Sequence, residues 1–140
     1  MGMIIMPALI PEIDVTDLGA SLSIYRNVFD FEVLIERVED AFAYLALGQA
    51  HLMMQQANGP GRRFRTAPLE QPHGRGLNLQ ILTQDVDGIL ARARKIGLEI
   101  VIDIEEVWYR HNNVLRGNRQ FVVSDLDGYL LRFYEDLVSR

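Results

Sequence analysis

The chain has 140 residues, of which 49% are apolar and 24% charged, so it is long enough for one hydrophobic core of ordinary composition. Its formal net charge of −5 disfavours a nucleic-acid surface, which normally carries a clustered basic face, and favours a cationic small-molecule ligand. The absence of cysteine excludes disulfides, thiolate zinc sites and cysteine nucleophiles.

The N-terminal stretch is apolar and reads MGMIIMPALIP. Pro7 and Pro11 interrupt it and it has no basic region, so it suits neither a signal peptide nor a membrane span. We therefore expect a cytoplasmic protein that interacts with neither membranes nor nucleic acids.

The first half of the chain predicts a β-α-β-β-β order. Its first strand alternates Ile13 and Val15 with acidic residues. Thr16 or Asp17 can cap the following helix, in which apolar residues recur at helical spacing from Leu18 to Phe29. Three further strands are predicted: 31–38, 41–47 and 50–56.

The second half repeats this order after the segment 57–76, which breaks every period and reads as a loop. A strand is predicted over 77–82, and Thr83 or Asp85 caps a helix that ends at Gly97. The apolar face of that helix consists of Val86, Ile89, Leu90, Ala93 and Ile96.

The rest of the second half predicts strands only. A strand covers 98–104, and Val107–Arg110 begins a loop or a short edge strand. Arg119–Glu135 then reads as a hairpin, because two apolar runs flank a turn that contains Asp125, Asp127 and a glycine. Aspartates in such a turn are typical of local backbone hydrogen bonds rather than of acid-base catalysis.

Arg132 is a lone cation within the apolar second strand of this hairpin. On one interpretation Arg132 extends its charged end to solvent from an edge strand or pairs with a carboxylate such as Glu12, because buried charges are normally paired. On the other interpretation it contacts a ligand. The sequence gives these two interpretations equal weight.

The two halves look like copies of one module. Asp17 precedes Phe31 by 14 positions and Asp85 precedes Leu98 by 13. We predict a single domain over 1–140, made of modules at about 7–56 and 77–137, whose two sheets face each other and hold a ligand between them.

Four stretches together resemble the vicinal-oxygen-chelate superfamily of glyoxalases, bleomycin-resistance proteins and extradiol dioxygenases: EIDVTDLGASLSIYRNVFDFEV, LALGQAHLMM, WYR and RQFVVSDLDGYLLRFYEDL. The resemblance is greatest to bleomycin-resistance-like members. It implies an α+β fold in which two tandem βαβββ modules form a cupped mixed sheet. It also implies a homodimer, with exchange of the N-terminal segment Met3–Ile10 as one arrangement.

Enzymes of that superfamily place His or Glu metal ligands at up to four positions. The resemblance maps these positions onto Ile10, Met53, Asn78 and Arg132. None of the four is a usual ligand, and the three histidines of the chain share no ligand spacing. We therefore expect no metal, no cofactor and no catalytic residue.

The positions implied by the resemblance leave a polar cup. Trp108 and Tyr109 could stack on a flat ligand there, although a tryptophan that covers the rim of the core explains the first of them equally simply. The predicted ligand-binding residues are Glu12, Met53, Asn78, Gln80, Trp108, Tyr109 and Arg132.

Three functions are consistent with these patterns. The first is a non-catalytic binding protein similar to bleomycin-resistance proteins, which sequesters a cationic or planar antibiotic. The second is a metal-dependent lyase, isomerase, dioxygenase or thiol transferase with displaced ligands. The third is a regulatory or immunity module that acts through its dimer surface.

Overall fold

The computed structural model describes residues 3–137. The chain divides between Pro68 and Leu69 into two compact units, the first unit and the second unit. This boundary lies within 57–76, which contains no helix or strand, as the loop prediction requires. Of the predicted domain 1–140, residues 1, 2 and 138–140 lie outside the described residues.

The first unit contains one four-stranded sheet and one helix of ten residues. In space its strands lie in the order β1-β4-β3-β2, with β1 parallel to β4 and the other neighbours antiparallel. A single 3-10 turn at Val38–Asp40 precedes β3. The elements are β1 (Glu12–Val15), α1 (Leu18–Asn27), β2 (Glu32–Arg37), β3 (Phe42–Leu47) and β4 (Ala50–Gln56).

The second unit repeats this arrangement. Its strands lie in the order β5-β8-β7-β6, with β5 parallel to β8 and the other neighbours antiparallel. Both units therefore have the βαβββ order, and the predicted pair of tandem modules is confirmed. The elements are β5 (Asn78–Leu82), α2 (Val86–Lys95), β6 (Ile100–His111), β7 (Val114–Ser124) and β8 (Leu130–Leu137).

An aspartate caps the N-terminus of each helix. The Asp17 carboxylate accepts a hydrogen bond from the backbone N–H of Ala20 at 3.0 Å, and the Asp85 carboxylate accepts one from Gly88 at 3.1 Å. These bonds satisfy N–H groups that the first turn of a helix leaves without intrahelical partners. Neither helix described in residues 3–137 is long and apolar enough to cross a membrane.

In each unit the core lies between the helix and one face of the sheet. Strand alternation places every second side chain on that face, and these side chains are buried. In the first unit they include Ile13 and Val15, and in the second unit they include Phe121, Leu131 and Phe133. The opposite face of each sheet carries the polar side chains of the same strands.

The predicted apolar face of α2 is correct except at its end. Val86, Ile89, Leu90 and Ala93 are buried, but Ile96 is 49% exposed. The helix ends at Lys95, so Ile96 no longer follows the helical period that would turn its side chain toward the sheet. Gly97 then takes a φ of +81°, which glycine adopts without strain.

The β6–β7 hairpin is longer than predicted. Val107–Arg110 is neither a loop nor a separate edge strand but part of a single strand of 12 residues. Register shifts between Ile100 and Glu105 interrupt the alternation that would have marked the strand as continuous. The hairpin turns at Asn112, whose φ of +59° suits asparagine, and β7 then starts five residues before Arg119.

The turn between β7 and β8 has the local bonding that its sequence predicts. The Asp125 carboxylate accepts hydrogen bonds from the backbone N–H groups of Asp127 and Tyr129, at 3.0 and 2.9 Å. The loop also attaches here, because the N–H of His73 donates to the backbone carbonyl of Asp127 at 2.7 Å. Asp125 and Asp127 are therefore structural residues of the second unit.

A candidate ligand-binding site on the second sheet

A cavity of about 530 Å³ lies within the second unit, on the sheet face that points away from α2. Its size falls in the range of small-molecule sites, roughly 300–1,000 Å³. Alternation along β5, β7 and β8 brings its side chains to one face, and the end of β6 adds more. The lining residues are Gln80, Leu82, Tyr109, Arg110, His111, Arg116, Asn118, Arg132, Tyr134 and Asp136.

Arg132 lies where β8 is held between β5 and β7. Its register neighbours are Gln80 on β5 and Val122 on β7. The Arg132 Nη2 group donates a hydrogen bond to the Gln80 side-chain carbonyl at 2.5 Å. The Nε atom is buried and, among the described residues, has no hydrogen-bond acceptor.

The two interpretations of Arg132 can now be compared. Within residues 3–137 its guanidinium makes no ion pair, and its partner is the neutral amide of Gln80. Val122 supplies no side-chain acceptor on the other side, so the strand neighbours leave part of the guanidinium available to a ligand.

The charge of the lining is positive. Three arginines contribute to it, against one carboxylate, Asp136. That carboxylate already accepts a hydrogen bond from the Arg116 Nη2 group at 3.0 Å. The cavity therefore favours an anion, whereas the net charge of the whole chain suggested a cation. Whole-chain charge does not report which residues surround a particular cavity.

Two tyrosines supply aromatic surface. Tyr134 lies on β8 two positions after Arg132, and Tyr109 lies on β6 opposite Arg116. Both side chains are partly exposed, so their rings remain accessible. A flat ligand could contact a tyrosine ring while a polar group on the same ligand reaches the guanidinium.

Trp108 lies on the other face of the sheet from Tyr109, because successive strand residues point to opposite faces. Its register partner is Gly117, where an added Cβ would come within 2.7 Å of the Trp108 ring. The indole therefore covers the backbone of β7. Of the two neighbouring aromatic residues, Tyr109 lines the cavity and Trp108 does not. The sequence expectation that both rings stack on one ligand does not fit this geometry.

The remaining predicted site residues lie elsewhere. Glu12 and Met53 are register partners in the first unit, and Asn78 lies two residues before Gln80 without lining the cavity. Among the described residues, the cavity thus contains three of the seven predicted ligand-binding residues: Gln80, Tyr109 and Arg132. The pKa of Glu12 is raised by burial first and by the neighbouring Asp14 charge second.

The corresponding face of the first sheet is occupied by the chain itself. The Asp14 carboxylate accepts hydrogen bonds from Gln55 Nε2 and from Arg65 Nε, each at 2.7 Å. Arg65 also donates to the backbone carbonyl of Ala57 at 2.6 Å, which holds the loop in place. The Asp14 carboxylate on this face is therefore engaged in internal contacts.

The residues at the metal positions implied by the resemblance do not fit a metal. In the first unit Ile10 precedes β1 and Met53 offers only a thioether. In the second unit the Arg132 guanidinium has no lone pair to donate and carries a positive charge. Among residues 3–137, no group of three or more His, Asp or Glu side chains is placed to hold a metal ion.

Sequence reasoning missed Arg116 and Asn118 because it began β7 at Arg119 rather than at Val114. Arg116 and Asn118 stand two positions apart, so on a strand they share one face. The Asn-Asn pair at 112–113 was the turn signal that would have extended the hairpin. Together these two signals would have placed Arg116 and Asn118 opposite β8.

The family model of the glyoxalase/bleomycin resistance protein/dioxygenase superfamily matches residues 11–133. The chain belongs to this superfamily. The match covers both units, in agreement with the shared βαβββ order. A comparison with curated protein sequences finds no relative.

Solved structures of similar fold agree with this assignment. TioX from Micromonospora sp. ML1 has a TM-score of 0.70 and 22% identity, covering 92% of this chain and 98% of TioX. A virulence protein from Salmonella typhimurium has a TM-score of 0.69 and 17% identity, with 96% and 100% covered. A lactoylglutathione lyase from Agrobacterium tumefaciens has a TM-score of 0.56 and 18% identity, with 92% and 94% covered. At these identities the likeness concerns the fold alone.

Proposed function

We propose that this superfamily member binds a small organic molecule in the cavity of the second sheet and releases it chemically unchanged. The observation that carries the proposal is a cavity of about 530 Å³ that combines two tyrosines with an arginine whose Nε–H has no acceptor among the described residues. Such a mixture of aromatic surface and a few placed polar groups is typical of ligand sites.

The lining supports binding better than catalysis. Among its described side chains, no hydrogen bond joins His111 to a carboxylate, and the residues at the superfamily's metal positions cannot ligate a metal. A nucleophile or general base needs a partner that orients or activates it. Sequestration of a planar antibiotic, as in the bleomycin-resistance group, is the form of this function that the sequence resemblance favours.

A blocking variant tests the proposal. Leu82 lines the cavity and is 54% exposed, so Leu82→Trp should fill part of the cavity without disturbing the core. Leu126 is similarly exposed at 48%, lies in the β7–β8 turn and does not line the cavity, so Leu126→Trp is the matched control.

Planar aromatic compounds, including bleomycin-type glycopeptides, would be titrated by calorimetry into the parent protein and the two variants. Mass spectrometry would then measure how much of each compound is recovered unchanged. We expect one molecule bound per chain, loss of binding in Leu82→Trp and retention in Leu126→Trp. Equal binding by both variants would place the ligand elsewhere. Conversion of a bound compound would contradict the non-catalytic function, and absence of glycopeptide binding would remove that antibiotic class.

A homodimer is proposed on separate grounds. The segment before β1 exposes four large apolar side chains: Met3 by 94%, Ile5 by 88%, Met6 by 56% and Leu9 by 81%. Exposed apolar side chains in a continuous segment commonly mark a surface that another chain covers. A second copy of this chain is the partner that the superfamily resemblance suggests.

A further inference from the structure

Arg132 differs from other arginines of the second unit in how its guanidinium is held. Arg116 and Arg119 reach carboxylates of Asp136 and Asp87, at 3.0 and 2.8 Å. Within the described residues, Arg132 contacts only a neutral amide oxygen and keeps a buried Nε–H without an acceptor. A buried donor without a partner is costly to the fold, so it marks a place where an additional acceptor would be stabilising.

The Gln80 contact also orients the guanidinium. Gln80 accepts from Nη2 on the β5 side, which fixes that edge of the planar group. Nη1 and Nη2 form the outer end of the group, where Gln80 is the described acceptor, and Val122 on β7 has no polar side-chain atom to meet it. A guanidinium fork held in this way suits two acceptor oxygens on one group, as in a carboxylate or a phosphate.

The surrounding charges favour an anion over a neutral acceptor. Arg110 and Arg116 line the same cavity, and its single lining carboxylate, Asp136, is already engaged by Arg116. An incoming oxyanion therefore meets a positive potential without a free carboxylate in the lining to repel it. Tyr134, two positions along β8 on the same face, offers an aromatic surface beside it.

We propose that Arg132 anchors an oxyanion subsite, and that the ligand of this cavity is a flat aromatic molecule bearing a carboxylate or phosphate. This proposal rests on the binding function proposed above and names its ligand class. The oxyanion accepts from the Nη N–H groups of the guanidinium that Gln80 leaves available, while the aromatic part contacts a tyrosine ring.

Four matched probes test the charge preference: 2-naphthoate, 2-naphthyl phosphate, neutral 2-naphthamide and cationic 2-naphthylmethylammonium. Calorimetry at constant ionic strength should give at least about tenfold tighter binding of one of the anions than of the amide, with the cation weakest. Comparison of the two anions shows which oxyanion the subsite takes. All four probes share one ring system, so differences report on the polar group.

Arg132→Gln removes the fork while retaining a polar side chain. We expect it to weaken binding of the preferred anion by about tenfold or more, and to change amide binding by less than about threefold. Arg119→Gln is the control, because Arg119 lies on the α2 face and pairs with Asp87. It should leave all four affinities unchanged.

A spectrum of the unmodified protein gives a readout that does not depend on any variant folding. The Arg132 Nε–H resonance, assigned through its loss in Arg132→Lys, should shift on titration with the preferred anion and stay in place with the amide. Equal affinity for anion and amide, with a static Nε–H resonance, overturns the oxyanion subsite and leaves the proposed binding function intact. Failure of all four probes to bind overturns both.

Discussion

Replacing Arg132 by methionine should stabilise the ligand-free protein. The buried Nε–H without an acceptor among the described residues costs about 1–3 kcal/mol, and Arg132→Met removes it together with the charge. The hydrogen bond to Gln80 is lost, but Gln80 is exposed and its amide can bond to water instead. Methionine has similar length and can pack on the buried Val122.

These contributions give a net gain of about 1 kcal/mol in the free energy of unfolding, within the range seen when partly buried charges are replaced by apolar side chains of similar volume. For a chain of this length the midpoint of thermal unfolding should rise by about 3 °C. Arg119→Met is the matched control on the other sheet face. Because it breaks only an exposed, solvent-screened ion pair with Asp87, it should not raise stability.

Thermal and urea unfolding of all three proteins would be followed by circular dichroism, after native mass spectrometry shows that no small molecule is retained. A retained ligand bound to the Arg132 guanidinium would stabilise the parent protein and reverse the expected sign. If Arg132→Met lowers the free energy of unfolding by more than about 1 kcal/mol in the ligand-free protein, Arg132 is a structural residue and the reasoning is refuted. The expected gain would instead identify a residue kept for binding at a cost in stability.

Three further predictions follow from the placement of other side chains. Tyr109→Ala should weaken binding of 2-naphthamide by about 0.5–1.5 kcal/mol in calorimetry. Trp108→Ala should leave that affinity unchanged but lower the midpoint of thermal unfolding. The reverse result would contradict the assignment of the two side chains to opposite sheet faces. Because burial and the Asp14 charge raise the pKa of Glu12 above its ordinary 4.5, the folded state binds the proton more tightly and stability is lost as pH rises through the folded pKa. Urea unfolding should therefore show Glu12→Gln to be more stable than the parent at pH 7, with a gain that shrinks as pH falls through the raised pKa toward 4.5. A gain independent of pH would exclude this cause. Light scattering should give a dimer mass for the full chain and a lower mass after removal of residues 1–9, and a monomer mass for the full chain across micromolar concentrations would exclude the dimer.

The fold could be predicted from the sequence because its signals are local. Asp17 and Asp85 each stand one residue before a helix with a helical apolar period, and both cap it. The turn from Asp125 to Gly128 lies between two apolar runs, and it forms as expected. Such signals depend only on residues a few positions apart, so they can be detected in a single amino-acid sequence.

The site was less predictable because it depends on register and on contacts distant in sequence. The register shifts in β6 removed the alternation that would have shown Trp108 and Tyr109 to lie on one continuous strand, and therefore on opposite faces. Arg65 lies 51 positions from the Asp14 carboxylate that it contacts, in a loop without any period. No local pattern reports such a pairing, so the occupied face of the first sheet could not be inferred.

The two sheets illustrate why the pairing of polar groups, rather than their number, identifies a binding face. On the first sheet, Asp14 is held by Gln55 and Arg65, so additional ligand contacts there would first have to break existing ones. On the second sheet, Arg132 has only Gln80 among the described residues, so a ligand can add an acceptor without displacing an internal partner. The corresponding faces of the two sheets thus differ in how far the polar groups of Asp14 and Arg132 are already paired.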